Sequence, residues 1–118
     1  MVKPVVEKID DVEAMPLEGG GDIRWLITHK NGAPNFSMRY ITVPGGKSTP
    51  AHRHDYEHEI FILDGEGEAE LDGSVSPVSK DSFIFIPGGA FHTIRAKTDM
   101  KLICVVPVEV ARMFLDNR

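Results

Sequence analysis

A chain of 118 residues has the length of one domain and can bury a core without help from disulfides. A formal net charge of −5, with basic residues scattered rather than grouped, argues against a nucleic-acid partner, which needs a basic face for its phosphates. A single cysteine, Cys104, excludes an internal disulfide.

The N-terminal stretch MVKPVVEKIDDVEAM lacks the uninterrupted apolar segment of a secretory signal. No apolar run approaches the length of a bilayer span, so a cytoplasmic protein without membrane contact is the expectation. Short runs rich in Val, Ile, Phe and Thr alternate with Gly and Pro. That pattern predicts an all-β sandwich or barrel of about nine to eleven strands.

Taken in order, residues 4–9 read as a first strand, followed by an acidic, irregular connection as far as Gly19-Gly20-Gly21. Residues 22–29 (DIRWLITH) read as a strand, and His29 beside Lys30 as a solvated side chain at its end. After a turn at Asn31-Gly32 and Pro34, Phe36–Val43 reads as the next strand, stopped by Pro44-Gly45-Gly46. Residues 59–63 form a strand that ends at the turn signal Asp64-Gly65. In Glu66–Leu71, Glu66, Glu68 and Glu70 share one face and Gly67, Ala69 and Leu71 the other. The glutamates read as a solvated face, with nothing apolar or basic expected there to shift a carboxyl pKa. Asp72-Gly73 is a second hairpin turn, and residues 74–78 are the return strand. The continuous run Phe83–Ile86 reads as a central strand buried on both faces. Residues 91–95 and 100–106 complete the strands, and residues 109–115 have the apolar spacing of a short helix.

Four of the five histidines fall in two places. His52, His54 and His58 lie in the segment GKSTPAHRHDYEHEIFILDG (residues 46–65), and His92 follows the turn Pro87-Gly88-Gly89. Residues two apart on a strand point the same way, so His52 and His54 project together. His58 joins them if the segment stays regular. Imidazoles gathered on one face can share a cation, and His92 is the candidate to complete the set.

These residues also carry a family resemblance. Residues 46–65 resemble the first cupin motif, G-x5-H-x-H-x3,4-E-x6-G, and DSFIFIPGGAFHTIRA resembles the second, G-x5-P-x-G-x2-H-x3-N. Gly46, His52 and His54 fit the opening of the first, and Pro87, Gly89 and His92 fit the second. Asp81 stands where the motif has Gly, and Ala96 where it has Asn. Six residues separate His58 from Gly65 and five separate Glu59 from it, so His58 takes the place of the usual glutamate.

The resemblance implies one cupin domain over residues 1–118, an all-β double-stranded β-helix (jelly-roll barrel) with a short C-terminal helix or tail. It implies one divalent metal per chain on His52, His54, His58 and His92. APNFSMR and EHEIF look like the small cupins with an all-histidine manganese site. Imidazole equally suits Fe, Ni, Cu and Zn. Glu57 or Glu59 would accept a hydrogen bond from a ligand ring.

Alternation in residues 100–106 turns Leu102, Cys104 and Val106 inward, away from Lys101. Cys104 reads either as a group facing the metal or as a small buried hydrophobe. Arg39 reads either as a pocket cation for a carboxylate or enolate or as a surface arginine. Phe91 reads as a rim residue or as packing.

A small-molecule oxidoreductase of dioxygenase type is the first functional reading. A metal-dependent lyase, isomerase or decarboxylase is the second, and it needs an acid or base that the sequence does not place. A non-catalytic small-ligand binding or sensor module is the third. Cupins of this size are commonly homodimers. Residues 4–9 and Trp25 are candidates for such an interface, or are ordinary core.

Overall fold

The computed structural model of the protein describes residues 2–116. Nine strands and one α-helix are present among them, besides two single 3-10 turns (Ile9–Asp11 and His29–Asn31): β1 (Met15–Leu17), β2 (Gly21–Ile27), β3 (Phe36–Val43), β4 (His58–Asp64), β5 (Glu66–Leu71), β6 (Ser74–Ser79), β7 (Phe83–Ile86), β8 (His92–Ala96), β9 (Met100–Pro107) and α1 (Val108–Leu115). A six-stranded sheet has the order β1-β2-β3-β9-β4-β7, and a three-stranded sheet the order β6-β5-β8. None of the described helices is long and apolar enough to cross a membrane.

Period-two alternation decides which side chains meet. Antiparallel partners point to the same face, so register assembles rows across the large sheet. One inner row runs Trp25, Arg39, Cys104, Ile60 and Ile84. The next runs Ile23, Ile41, Leu102 and Ile62. The small sheet answers with Ala69, Ile94, Val78 and Ala96, and both inner faces feed one core cluster. α1 lays Val108, Val110 and Ala111 inward, and its Phe114 ring sits 6.0 Å from that of Trp25.

Two turns show why their residues are there. Asp72 and Gly73 join β5 to β6 with φ of 49° and 85°, the paired positive angles of a type I′ hairpin. Gly65 takes the chain from the large sheet to the small one at φ 92°, and a Cβ there would run into the Asp99 carbonyl. Asp81, in the glycine position of the second motif, adopts φ 72°, a region that Asp tolerates better than most side chains.

Several expectations are corrected. No strand forms at residues 4–9. The outer edge of β2 is taken instead by Met15–Leu17, out of what reads as an irregular connection. The Arg24 side chain ties the earlier segment down by donating to the Ile9 and Val12 carbonyls, each at 2.9 Å.

Phe83–Ile86 is the edge strand, not a central one, with Phe83 83% and Phe85 54% exposed. Only its Ile84 and Ile86 face is covered.

The glutamate face of β5 does meet a base. Arg95 on the neighbouring β8 lies 2.9 Å from Glu70 and 3.4 Å from Glu68. His29 is not solvated: its side chain is 9% exposed, and Nε2 lies 2.8 Å from the Asp116 carboxylate at the end of α1. Trp25 lies against the core and under Phe114, so it does not form a free outer surface.

Candidate metal centre

The segment between β3 and β4 is not a regular strand. It is extended chain pinned by isolated bridges, Ser48 with Arg95 and His52 with His92. His52 and His92 exchange both backbone hydrogen bonds, at 3.2 and 2.9 Å, which sets their side chains next to each other. Gly89 donates to the His54 carbonyl at 2.7 Å, so the Pro-Gly-Gly turn holds the second histidine as well. The two motifs are therefore stitched together by main chain before any ligand is considered.

The outcome is a cluster of imidazoles. Ligand atoms of His52, His54 and His92 all lie within 4.8 Å of one another. Ring centroids are 4.7 Å apart for His52–His54, 4.8 Å for His52–His92 and 4.7 Å for His54–His92. His58 opens β4 on the inner face, buried, while Glu59 is exposed on the outer face. Its Nε2 sits 2.8 Å from His54 Nε2, beside the three-residue cluster.

Hydrogen bonds fix which nitrogens offer lone pairs. His92 Nδ1 donates to the Ala90 carbonyl at 3.0 Å. Its Nε2 is buried with no hydrogen-bond partner. An unsatisfied, buried lone pair is costly unless something binds it. His54 Nδ1 likewise donates to the Tyr56 carbonyl at 3.1 Å, which leaves Nε2 as its acceptor. The residues fit a divalent transition metal on this ground: neutral imidazoles, oriented by backbone carbonyls, with ring nitrogens converging. The carbonyls fill the orienting role expected of Glu57 or Glu59, both of which are exposed.

His58 differs. Arg39 Nη2 donates to His58 Nδ1 at 3.1 Å and to Cys104 Sγ at 2.8 Å. The proton of neutral His58 is then on Nε2, where it serves the bond to His54. For Nε2 to take a metal, the proton must shift to Nδ1, where Cys104 Sγ lies 3.1 Å away as an acceptor.

Burial and mutual repulsion favour the uncharged form of His52, His54 and His58. Burial, then the neighbouring His92, lowers the pKa of both His52 and His54. Burial and the Arg39 charge bring His58 down to about 2. Neutral imidazole is the metal-binding form.

A cavity of about 470 Å³ opens from the cluster along the inner face of the large sheet. That lies in the range of small-molecule sites, roughly 300–1,000 Å³. Its walls are mostly apolar, including Ile23, Ile41, Ile60 and Leu102, with Trp25 and Phe114 toward the helix. Of the residues expected to line it, Arg39, Leu102 and Cys104 do. Val106 does not: it faces inward but packs into the core, paired in register with the fully buried Ser37. Phe91 does not either, because it precedes His92 by one residue and so takes the opposite direction.

The wall also holds groups the sequence does not announce. Glu18 comes from the turn after β1, an element hidden by its short length. Tyr56 stacks on His54 at 3.7 Å between ring centroids, and burial raises its phenol pKa. The position of Tyr56 between His54 and His58 is the only sequence signal for either group.

Known proteins share this fold. A family model described as a cupin domain matches residues 39–106. L-ectoine synthase of Halalkalibacterium halodurans is 30% identical over 105 residues, covering 85% of this chain and 81% of that protein. A 1-methylthio-D-xylulose 5-phosphate methylsulfurylase of Rhodospirillum rubrum is 40% identical over 75 residues, and the match takes in 61% of this chain but only 47% of that enzyme. The solved polyketide cyclase RemF of Streptomyces resistomycificus superposes with a TM-score of 0.78 at 30% identity, over 92% of this chain and 80% of its own. The matched stretch runs from Arg39 through all four clustered histidines to the end of the inner row on β9, and this chain belongs to the cupin family.

Proposed function

We propose that this chain is a metal-dependent enzyme that makes or breaks bonds in a small organic molecule without net oxidation, as a cyclase, lyase or isomerase does. One observation carries the reading: the imidazole cluster opens into an apolar cavity whose wall also offers Glu18 and Tyr56. His52, His54 and His92 would hold the ion, with His58 as a fourth ligand once its proton moves to Nδ1. A divalent ion held there supplies Lewis acidity to a substrate oxygen. The chain's own groups do the rest. Glu18 can take a proton and Tyr56 can give one, while the apolar walls exclude water. The names of the ectoine synthase and the polyketide cyclase favour this class. Manganese is the ion favoured by the resemblance to all-histidine cupins.

A dioxygenase is the second reading, favoured by the all-nitrogen donor set, which leaves the ion its full charge. Oxygen-electrode assays of the manganese- and iron-loaded protein with catechols, flavonols and diketones separate the two. We expect no oxygen uptake above that of metal-stripped protein. Uptake that depends on the loaded metal would move the assignment to the dioxygenase.

The chain also pairs with a second copy, in our reading, through the outer face of the large sheet. Register places Tyr40, Ile103, Phe61 and Phe83 in one outward row. Met38, Val105, Glu59 and Phe85 form the next. Glu59 and, where the first row continues onto β2, Arg24 are the charges in these rows, and Arg24 is tied to the Ile9 and Val12 carbonyls, so two copies related by a two-fold axis can meet there with little charge to desolvate. Sedimentation equilibrium is expected to give a dimer, and Phe83→Glu to shift it to monomer. A wild-type monomer at micromolar concentration would end the idea.

A further inference from the structure

Arg39 is a buried cation with no anion beside it. The residue is 7% exposed and projects from the inner row of β3 into the cavity. Nη2 donates to His58 Nδ1 and Cys104 Sγ, and neither partner is a carboxylate. Nε is buried and makes no hydrogen bond. Among the described residues, the ion pairs formed by arginine are those of Arg95 and Arg112, and no carboxylate pairs with Arg39. The Trp25 ring, 5.3 Å from Arg39 Cζ, offers its face. A cation–π contact is much weaker than the hydration a guanidinium gives up on burial. The remaining donors therefore lack the acceptors that a planar, five-donor group is built to use.

We propose that Arg39 is the carboxylate-binding residue of this cavity, and that its ligand is a small organic acid whose apolar body lies against Ile23, Ile41 and Leu102. The inference rests on reading the cavity as the ligand site and names the ligand's class. Placement supports it. Arg39 is the only arginine or lysine in the cavity wall among the described residues, and Glu18 is the only carboxylate. Arg39 touches His58, and His58 touches His54. An acid anchored on Arg39 thus has its anionic end two side chains from the imidazole cluster, close enough for the adjoining atoms to reach the metal site. Glu18 repels the same charge, which gives the acid a preferred direction in the cavity.

The test is calorimetric binding of benzoate, phenylacetate and 3-phenylpropionate, each against its primary amide, to metal-loaded and metal-stripped protein. At least one acid is expected to bind about tenfold or more tightly than its amide, as charge-assisted hydrogen bonds to a buried guanidinium allow. The preference is expected to persist after the metal is stripped, to vanish in Arg39→Met, and to survive in weakened form in Arg39→Lys, which keeps the charge and loses the fork. Equal binding of every acid and its amide overturns the proposal. So does a preference that disappears with the metal, because the ion and not Arg39 would then hold the acid. That comparison uses wild-type protein alone and stands even if Arg39→Met fails to fold. Acid preference in a protein that takes up no metal would leave this inference standing while removing the enzymatic reading.

Discussion

Replacing His92 by alanine is expected to lower affinity for a divalent transition metal by about a hundredfold or more, since even an outer partner of a ligand is worth roughly 10–100-fold. The reason is local. His92 Nε2 is a buried nitrogen with no protein partner, aimed by the Ala90 carbonyl on its other side. Removing the ring takes away a donor already paid for in desolvation, and nothing else in the turn can replace it. The backbone bonds between residues 52 and 92 do not need the ring, so the fold should survive, as circular dichroism can verify. Competition with a chelating dye reads the affinity. The same titration on His58→Ala separates two kinds of centre. A loss comparable to that of His92→Ala means four nitrogens hold the ion. Binding as tight as wild type confines the site to His52, His54 and His92. Glu59→Ala should change nothing, because Glu59 is exposed on the outer face.

Gly65→Ala is expected to destabilise the protein by about 3 kcal/mol or more, the sum of left-handed strain and overpacking. At φ 92° an added Cβ meets the Asp99 carbonyl and comes within 2.8 Å of the Met100 Cα. Neither is the free end of a side chain, so neither can give way cheaply. Gly73→Ala is the control: its φ of 85° is also left-handed, but a Cβ there meets nothing within 4 Å. Its cost should be the conformational part alone, about 1 kcal/mol. Urea denaturation of both variants measures the difference. Equal losses would mean that the crowding against residues 99 and 100 has no energetic weight.

Much of the site is legible in the sequence because it follows simple parity and motif spacing. His58 rather than Glu59 faces inward, as their positions on β4 require. Leu102 and Cys104 line the cavity because Lys101 cannot point into it. The failures have a common physical origin: each depends on a neighbour that local pattern does not name. The run Phe83–Ile86 looks doubly buried, yet nothing among the described residues covers the Phe83 and Phe85 face. His29 looks solvated until α1 brings Asp116 to it. The glutamates of β5 look isolated until β8 supplies Arg95. Residues 4–9 have strand composition but pair with no strand, whereas Met15–Leu17 has a poorer pattern and takes the edge of β2. Glu18 enters the cavity wall only because that short strand forms.

Arg39 joins the histidine cluster to the cavity. Its register with Cys104 puts it on the inner row, so the surface alternative is removed by topology and not by composition. Once there, it orders His58 and Cys104 and leaves part of its own fork unused. The same side chain therefore sets the tautomer of a candidate ligand and presents a charge to the cavity.

Whether the clustered histidines hold an ion is read most directly from the metal content of wild-type protein purified without chelator or added metal. Inductively coupled plasma mass spectrometry is predicted to find one divalent transition-metal ion per chain, retained through dialysis. Protein that emerges metal-free, and stays so after exposure in turn to manganese, iron, nickel, copper and zinc, would contradict it.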